Sequence, residues 1–278
     1  MLAHSRRIGW DWPFWALVVA ATAAYLILIV ALLAVDAAWT SPHQLLDSLE
    51  SREIAFSIRL SLFTSTASAL LALLVAIPAG YLLSRTQFPG KLLVDVVVDI
   101  PIVLPPLVIG LSLLILFRVP IPFTGNPPLR LNDVLPLTYT VGGVVLAQFT
   151  VGAAFAVRTM RATFDHLPRR PEDVARVLGC SRAEAVWRVT LPSSRRGMVT
   201  AFTLAWARSL GEFGPILVFA GATRLRTEVL PTSVFLELSV GNLEPALAVS
   251  LLMVLLSIGV LIVVRSVGDT VGGTHDRL

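Results

Sequence analysis

One cysteine, one lysine, three tyrosines and four histidines in 278 residues leave little from which to build a reactive site. Cys180 stands alone, so no disulfide forms within the chain, and it reads as a small residue at a helix junction. A phosphate-cradling loop needs Gly-x-x-x-x-Gly-Lys followed by Ser or Thr. Gly90 precedes the single lysine, Lys91, but Leu92 follows it and Arg85 stands where the first glycine belongs. The chain therefore does not bind ATP through that motif. His4, His43, His166 and His275 are scattered over termini and loops without the spacing of metal ligands. No nucleophile–base pair is legible. The expectation is a chain with no catalytic residue, no metal and no cofactor of its own.

Charge is scarce as well: 14% of residues are charged against 55% apolar, and the mean hydropathy is +0.80. That balance excludes an ordinary soluble domain and points to an integral membrane protein. A bilayer core about 30 Å thick needs about 20 apolar residues per helix. Six stretches qualify, at about 14–35, 60–83, 100–117, 137–157, 198–221 and 245–264. The fold class expected is all-α, six transmembrane helices in a single domain over 1–278, with one long loop at 158–196. Trp10, Trp12 and Trp15 bracket the start of the first span as interfacial belt residues do. That span reads as an anchor, lacking the small-residue cleavage site of a signal peptide.

Nine arginines lie between Arg158 and Arg196. With the N-terminus inside, Arg6, Arg7, Arg85, Lys91, Arg265 and Arg277 fall on the same side as that loop. The opposite loops hold only Arg52, Arg59, Arg118, Arg130, Arg224 and Arg226. The positive-inside rule then puts both termini and the 158–196 loop in the cytoplasm, with the protein in the inner (cytoplasmic) membrane. Anionic lipid and this topology account for the sequence pI of about 10.0, with no call for nucleic acid.

Within that loop, Pro171 to Pro192 carries helix punctuation. Pro171 suits a first helical position, and Glu172 and Asp173 put negative charge near the amide end of the dipole. Gly179 can take the left-handed conformation that closes a helix. Ser181 stands three residues before Glu184, the pattern of a capping box, and Leu191-Pro192 ends the second helix. Two short helices are thus expected. Their apolar stripes, Val174, Val177 and Leu178, then Ala185, Val186 and Val189, make a knob for another protein's groove. This segment resembles the EAA loop of ABC importer permeases. Asp173-Val174-Ala175 stands for the Glu-Ala-Ala triplet, Gly179 for its glycine, and Val189-Thr190-Leu191-Pro192 for Ile-x-Leu-Pro. Asp replaces Glu and Val replaces Ala, while the spacing is intact. The resemblance implies the type I importer permease fold, with Glu172, Asp173, Ala175, Gly179, Ser181, Glu184, Val189, Leu191 and Pro192 in a loop that docks on an ATP-hydrolysing subunit.

Ala205-Trp206-Ala207-Arg208-Ser209-Leu210-Gly211-Glu212-Phe213-Gly214 is similar to the Ala-Arg-x-Leu-Gly-Glu-Phe-Gly signature of oxyanion permeases, importers of molybdate, tungstate and sulfate. Gly221-Ala222-Thr223-Arg224, Thr227-Glu228 and Leu230-Pro231-Thr232-Ser233 continue it with wording closer to the molybdate/tungstate branch. Pro89-Gly90-Lys91 and Pro101 through Leu104-Pro105-Pro106 also fit. The resemblance covers about 55–265. It implies a homodimer around a two-fold pathway, two ATPase copies holding ATP and magnesium, and an extracytoplasmic oxyanion-binding protein that delivers the anion. Sulfate, or another small ligand of the same importer class, is the alternative cargo.

Pathway candidates follow from polar residues inside spans. Ser61, Ser65 and Ser68, with Thr64 beside them, share a helix face. Their hydroxyls can pass an oxyanion by neutral hydrogen bonds, and they equally suit close helix packing. Gln148 and Thr150 read in the same two ways. Arg208 and Glu212 are four apart, with Ser209 between them. They pair with each other, or Arg208 attracts the anion if Glu212 turns away. Pro105 and Pro106 break the third span, as a gate or as a bend. An ion-coupled secondary transporter would use Asp95 and Asp99, four apart on one face, although Asp95 can also pair with Lys91. A non-transporting membrane scaffold is a third class.

Overall fold

The computed structural model describes residues 12–121 and 128–272. Arg6, Arg7, Trp10, His4, His275 and Arg277 lie outside the described residues. Three helices form the centre: α3 (Arg52–Arg85), α7 (Val141–His166) and α11 (Arg195–Leu210). They approach closely because their facing residues are small. Along α3 the buried positions include Ser57, Ser61, Ser65, Ser68, Ala69, Ala72, Ala76 and Gly80. A Cβ on Gly80 would lie 2.8 Å from the backbone nitrogen of Arg161 in α7. Apolar spans gain nothing from hydrophobic burial against each other in lipid, so backbone approach of this kind holds them.

Around this centre run α1 (Trp12–Trp39), α2 (Pro42–Glu50), α4 (Lys91–Val103), α5 (Pro106–Arg118) and the short α6 (Leu131–Val134). After α7 come α8 (Arg170–Val177), α9 (Arg182–Ala185) and α10 (Leu191–Ser193). After α11 come α12 (Gly214–Phe219), α13 (Leu230–Val240) and α14 (Leu243–Gly272). Among the described residues the only β pairing is one isolated bridge, Pro120 with Arg130. None of the α1 residues described is buried, and Trp12 and Trp15 project outward at its start.

Against the six spans expected, four helices among the described residues are long and apolar enough to cross a membrane, Trp12–Trp39, Arg52–Arg85, Val141–His166 and Leu243–Ile262, or five if one bent pair counts as a span. The stretch expected at 100–117 is a pair, α4 and α5, bent by 113°. Two prolines cause the break: neither offers an N–H, and each pushes its predecessor out of the α region. Leu104 and Pro105 accordingly have ψ of 139° and 133°. The stretch expected at 198–221 is also interrupted. α11 ends on Gly211, Phe213 sits at φ −120° and ψ −57°, and α12 restarts with Pro215 in its first turn.

Candidate functional site

The 171–192 segment folds into two arms. Pro171 stands in the first turn of α8, and the α8 turn closes through Leu178 N–H to Val174 O, Gly179 N–H to Arg176 O and Cys180 N–H to Ala175 O. Gly179 has φ +99°, with nothing within 4 Å of a would-be Cβ. Glycine is therefore demanded by backbone strain alone. The capping box is present: Ser181 Oγ accepts from Glu184 N–H at 3.2 Å, and Glu184 Oε2 accepts from Ser181 N–H at 2.8 Å. The bond from Ser181 N–H, with a second donated by Ser181 Oγ to the same oxygen at 2.9 Å, holds the Glu184 carboxyl below its ordinary range.

The second arm runs on past the expected stop. α9 passes into a π-turn, Val186–Thr190, in which Leu191 N–H reaches Val186 O, and α10 carries the helix to Ser193. Pro192 has no N–H to give, and the widened turn ahead of it accommodates that loss. Of the two apolar stripes expected, the first faces outward: Val177 and Leu178 are 88% and 80% exposed, and Val174 is exposed too. The second turns inward, since Ala185 is buried and Val186 and Val189 are half-buried. Trp187, unremarked in the sequence, projects instead and is 74% exposed.

Beneath the arms lies a polar underside. Asp173 is exposed but Glu172 is only 8% exposed. It accepts from Tyr81 OH of α3 at 2.5 Å and from Thr190 Oγ1 of the second arm at 2.9 Å. Arg85 Nη2 donates to Leu167 O at 3.1 Å, and Arg169 Nη2 donates to Ser84 O at 3.3 Å. A cleft of about 110 Å³ remains between Arg85, Leu167, Glu172, Thr190 and Ser193.

The serines of α3 are brought together as a packing seam. Ser61 Oγ accepts from Leu230 N–H at 2.8 Å, and Ser68 Oγ lies 2.9 Å from Val145 O and 3.2 Å from Gln148 Oε1. Ser65 bonds back to Leu62 O, and Thr150 to Leu146 O. Ser61, Ser65, Ser68 and Gln148 are all essentially inaccessible within one chain. Ser57 and Ser233, which hydrogen-bond each other at 3.0 Å, belong to the same seam. Thr227, Glu228 and Thr232, expected in an outer loop, are buried beside it.

Arg208 Nη1 lies 2.6 Å from Glu212 Oε2, and the guanidinium side chain is 32% exposed while the carboxylate is 1% exposed. The pair sits where α11 breaks. Leu204, Ala207 and Gly211 leave that face of α11 open. Ser209 turns the other way, against α7, where a Cβ on Gly152 would come within 2.9 Å of its Oγ. The expected Asp95–Lys91 pair is not formed. Lys91 Nζ folds back on Thr86 O at 3.1 Å, and Asp95 pairs with Arg161 of α7 at 2.6 Å. The reason is tertiary: α4 lies along α7, which brings a guanidinium from distant sequence nearer than its own lysine. Among the described residues no group of three or more His, Cys, Asp or Glu could hold a metal ion.

Residues 72–271 match the family model described as binding-protein-dependent transport system inner membrane component. A probable molybdenum ABC transporter permease protein of Haloferax volcanii is 35% identical over 82% of this chain and 81% of its own length. A molybdate/tungstate transport system permease protein of Thermococcus kodakarensis is 33% identical over 80% of this chain and 82% of its own. A sulfate transport system permease protein of Escherichia coli is 28% identical over 81% of this chain and 80% of its own. The crystal structure of a bacterial alginate ABC transporter, in complex with its alginate pentasaccharide-bound periplasmic protein, contains a chain of similar fold. Its TM-score is 0.72 at 16% identity, over 95% of this chain and 96% of that one.

Proposed function

Because this chain belongs to the family of inner membrane components of binding-protein-dependent transport systems, we propose that it forms the translocation pathway of an ATP-driven importer for molybdate or tungstate. The chain is a non-catalytic permease subunit, and hydrolysis resides in a separate ATPase. Two copies of this chain surround the pathway, two copies of the ATPase clasp the 158–196 loops from the cytoplasm, and an extracytoplasmic binding protein delivers the anion. Closure of the ATPases around ATP moves the 171–192 arms, and the helices rock from inward to outward access.

One observation carries this reading. The 171–192 arms form a braced projection whose outer surface is apolar, at Val174, Val177, Leu178 and Trp187, with the family's spacing to Gly179 and Pro192. A solvent-facing apolar patch rimmed by arginines is a protein-docking surface rather than a linker. The cargo assignment leans on the molybdenum and molybdate/tungstate permeases that this chain resembles. The open face of α11, with Arg208 partly exposed over a buried Glu212, supplies a positive group that its neighbour tempers. An anion is attracted there without being trapped.

The test is uptake by proteoliposomes containing permease, ATPase and binding protein. The expected outcome is molybdate or tungstate uptake that needs all three and ATP. Uptake by the permease alone under a proton gradient overturns the reading. Uptake of sulfate, but of neither of the other anions, selects the sulfate alternative favoured by the similarity to the sulfate permease.

A further inference from the structure

We propose that Glu172 is a positioning residue: its carboxylate locks both arms of the loop to the end of α3, so that movement of the loop is passed to the membrane helices instead of being absorbed. This rests on the functional reading above. The two acids at the start of α8 divide: Asp173 faces solvent and Glu172 faces inward, so Glu172 is not part of the outer docking surface. One of its oxygens takes the Tyr81 hydroxyl proton at 2.5 Å and the other takes that of Thr190 at 2.9 Å. Both bonds are charge-assisted, shorter and stiffer than neutral ones.

The three partners lie on three different bodies. Tyr81 belongs to the last turn of α3, and its ring also packs edge-on against Phe164 of α7, with centroids 5.7 Å apart. Glu172 opens the first arm. Thr190 closes the π-turn of the second arm, five residues before α11 begins. Arg85 and Arg169 add bonds between α3 and the root of the loop, but these stop at Leu167 and Arg169. Among the described residues, no other side-chain hydrogen bond links the two arms to each other. Without Glu172, no side-chain hydrogen bond would hold the arms together, and their covalent link is Gly179, a left-handed glycine with open space around it and a natural pivot.

Two measurements test this. In the reconstituted complex, Thr190→Val and Glu172→Gln keep volume and remove a bond to the carboxylate or the charge itself. The ATPase should still copurify, because the outer surface is untouched. Anion moved per ATP hydrolysed should fall about tenfold, the scale set by losing one charge-assisted hydrogen bond, while hydrolysis changes by about twofold or less. An unchanged ratio, a parallel loss of uptake and hydrolysis, or loss of copurification overturns the proposal. In the permease alone, Thr190→Val should speed backbone hydrogen exchange in the opposite arm, at 172–178, by about tenfold. Acceleration confined to the second arm overturns the brace. If exchange responds as expected but the wild-type complex shows no ATP-dependent uptake, the importer reading fails and the brace does not.

Discussion

At the residue scale, Arg208 pairs with Glu212, whose carboxylate is buried. A buried carboxylate stripped of its counter-ion is costly, and replacing both partners together is much cheaper than replacing one. Arg208→Gln should therefore lower stability by about 2 kcal/mol. That is below the usual range for a buried pair, because the guanidinium is partly solvated. Arg208→Gln with Glu212→Gln should recover at least half of the loss. Thermal unfolding of the four proteins in detergent checks it, and strictly additive effects would show that the 2.6 Å contact contributes nothing. The spacing of this pair was legible in the sequence, because i,i+4 neighbours on a helix meet whatever surrounds them. Asp95 was not legible in the same way. Its partner, Arg161, lies 66 residues away, and only the packing of α4 along α7 decides that Lys91 loses the competition.

At the scale of elements, the two-armed loop shows how far local signals reach. Pro171, Gly179 and the Ser181–Glu184 box act within a few residues, so they marked the starts, the hinge and the cap correctly. The direction in which the second arm faces depends instead on how it packs against the rest of the protein, which turns Val186 and Val189 inward and leaves Trp187 outside. Trp187 is thus the expected anchor for the ATPase. Trp187→Ala should weaken ATPase binding by about 30-fold, the roughly 2 kcal/mol typical of an interfacial hot spot. Because Trp187 is 74% exposed, the permease itself should unfold at the wild-type temperature. Titration of the ATPase onto detergent-solubilised permease provides the measurement, and unchanged affinity would move the docking surface elsewhere.

At the scale of the whole molecule, the proposed orientation rests on charge asymmetry, and the scarcity of cysteine makes it easy to check. Cys180 is the chain's single thiol, half-buried at the junction of the two arms. A membrane-impermeant maleimide should label it in inverted vesicles and leave it unlabelled in intact cells. Labelling from outside would place the arginine-rich loop on the wrong face for an ATPase and remove the basis of the proposed mechanism.

Composition and hydropathy by themselves pointed to an all-helical membrane protein, the punctuation of 171–192 to its two-armed loop, and the resemblance those residues carry to a permease subunit worked by a separate ATPase. Each of those signals is either an average over many residues or a contact between near neighbours along the chain. The break at Pro105-Pro106 was also legible, but the tertiary structure alone decided the rest: a second expected span breaks at Gly211 through Phe213. The hydroxyls of Ser61 and Ser68 bond to neighbouring segments and that of Ser65 to its own helix, and Glu172 turns from a helix-dipole charge into the contact joining three segments. Those outcomes depend on which distant backbone comes within about 3 Å of a given side chain, a distance the order of residues does not state.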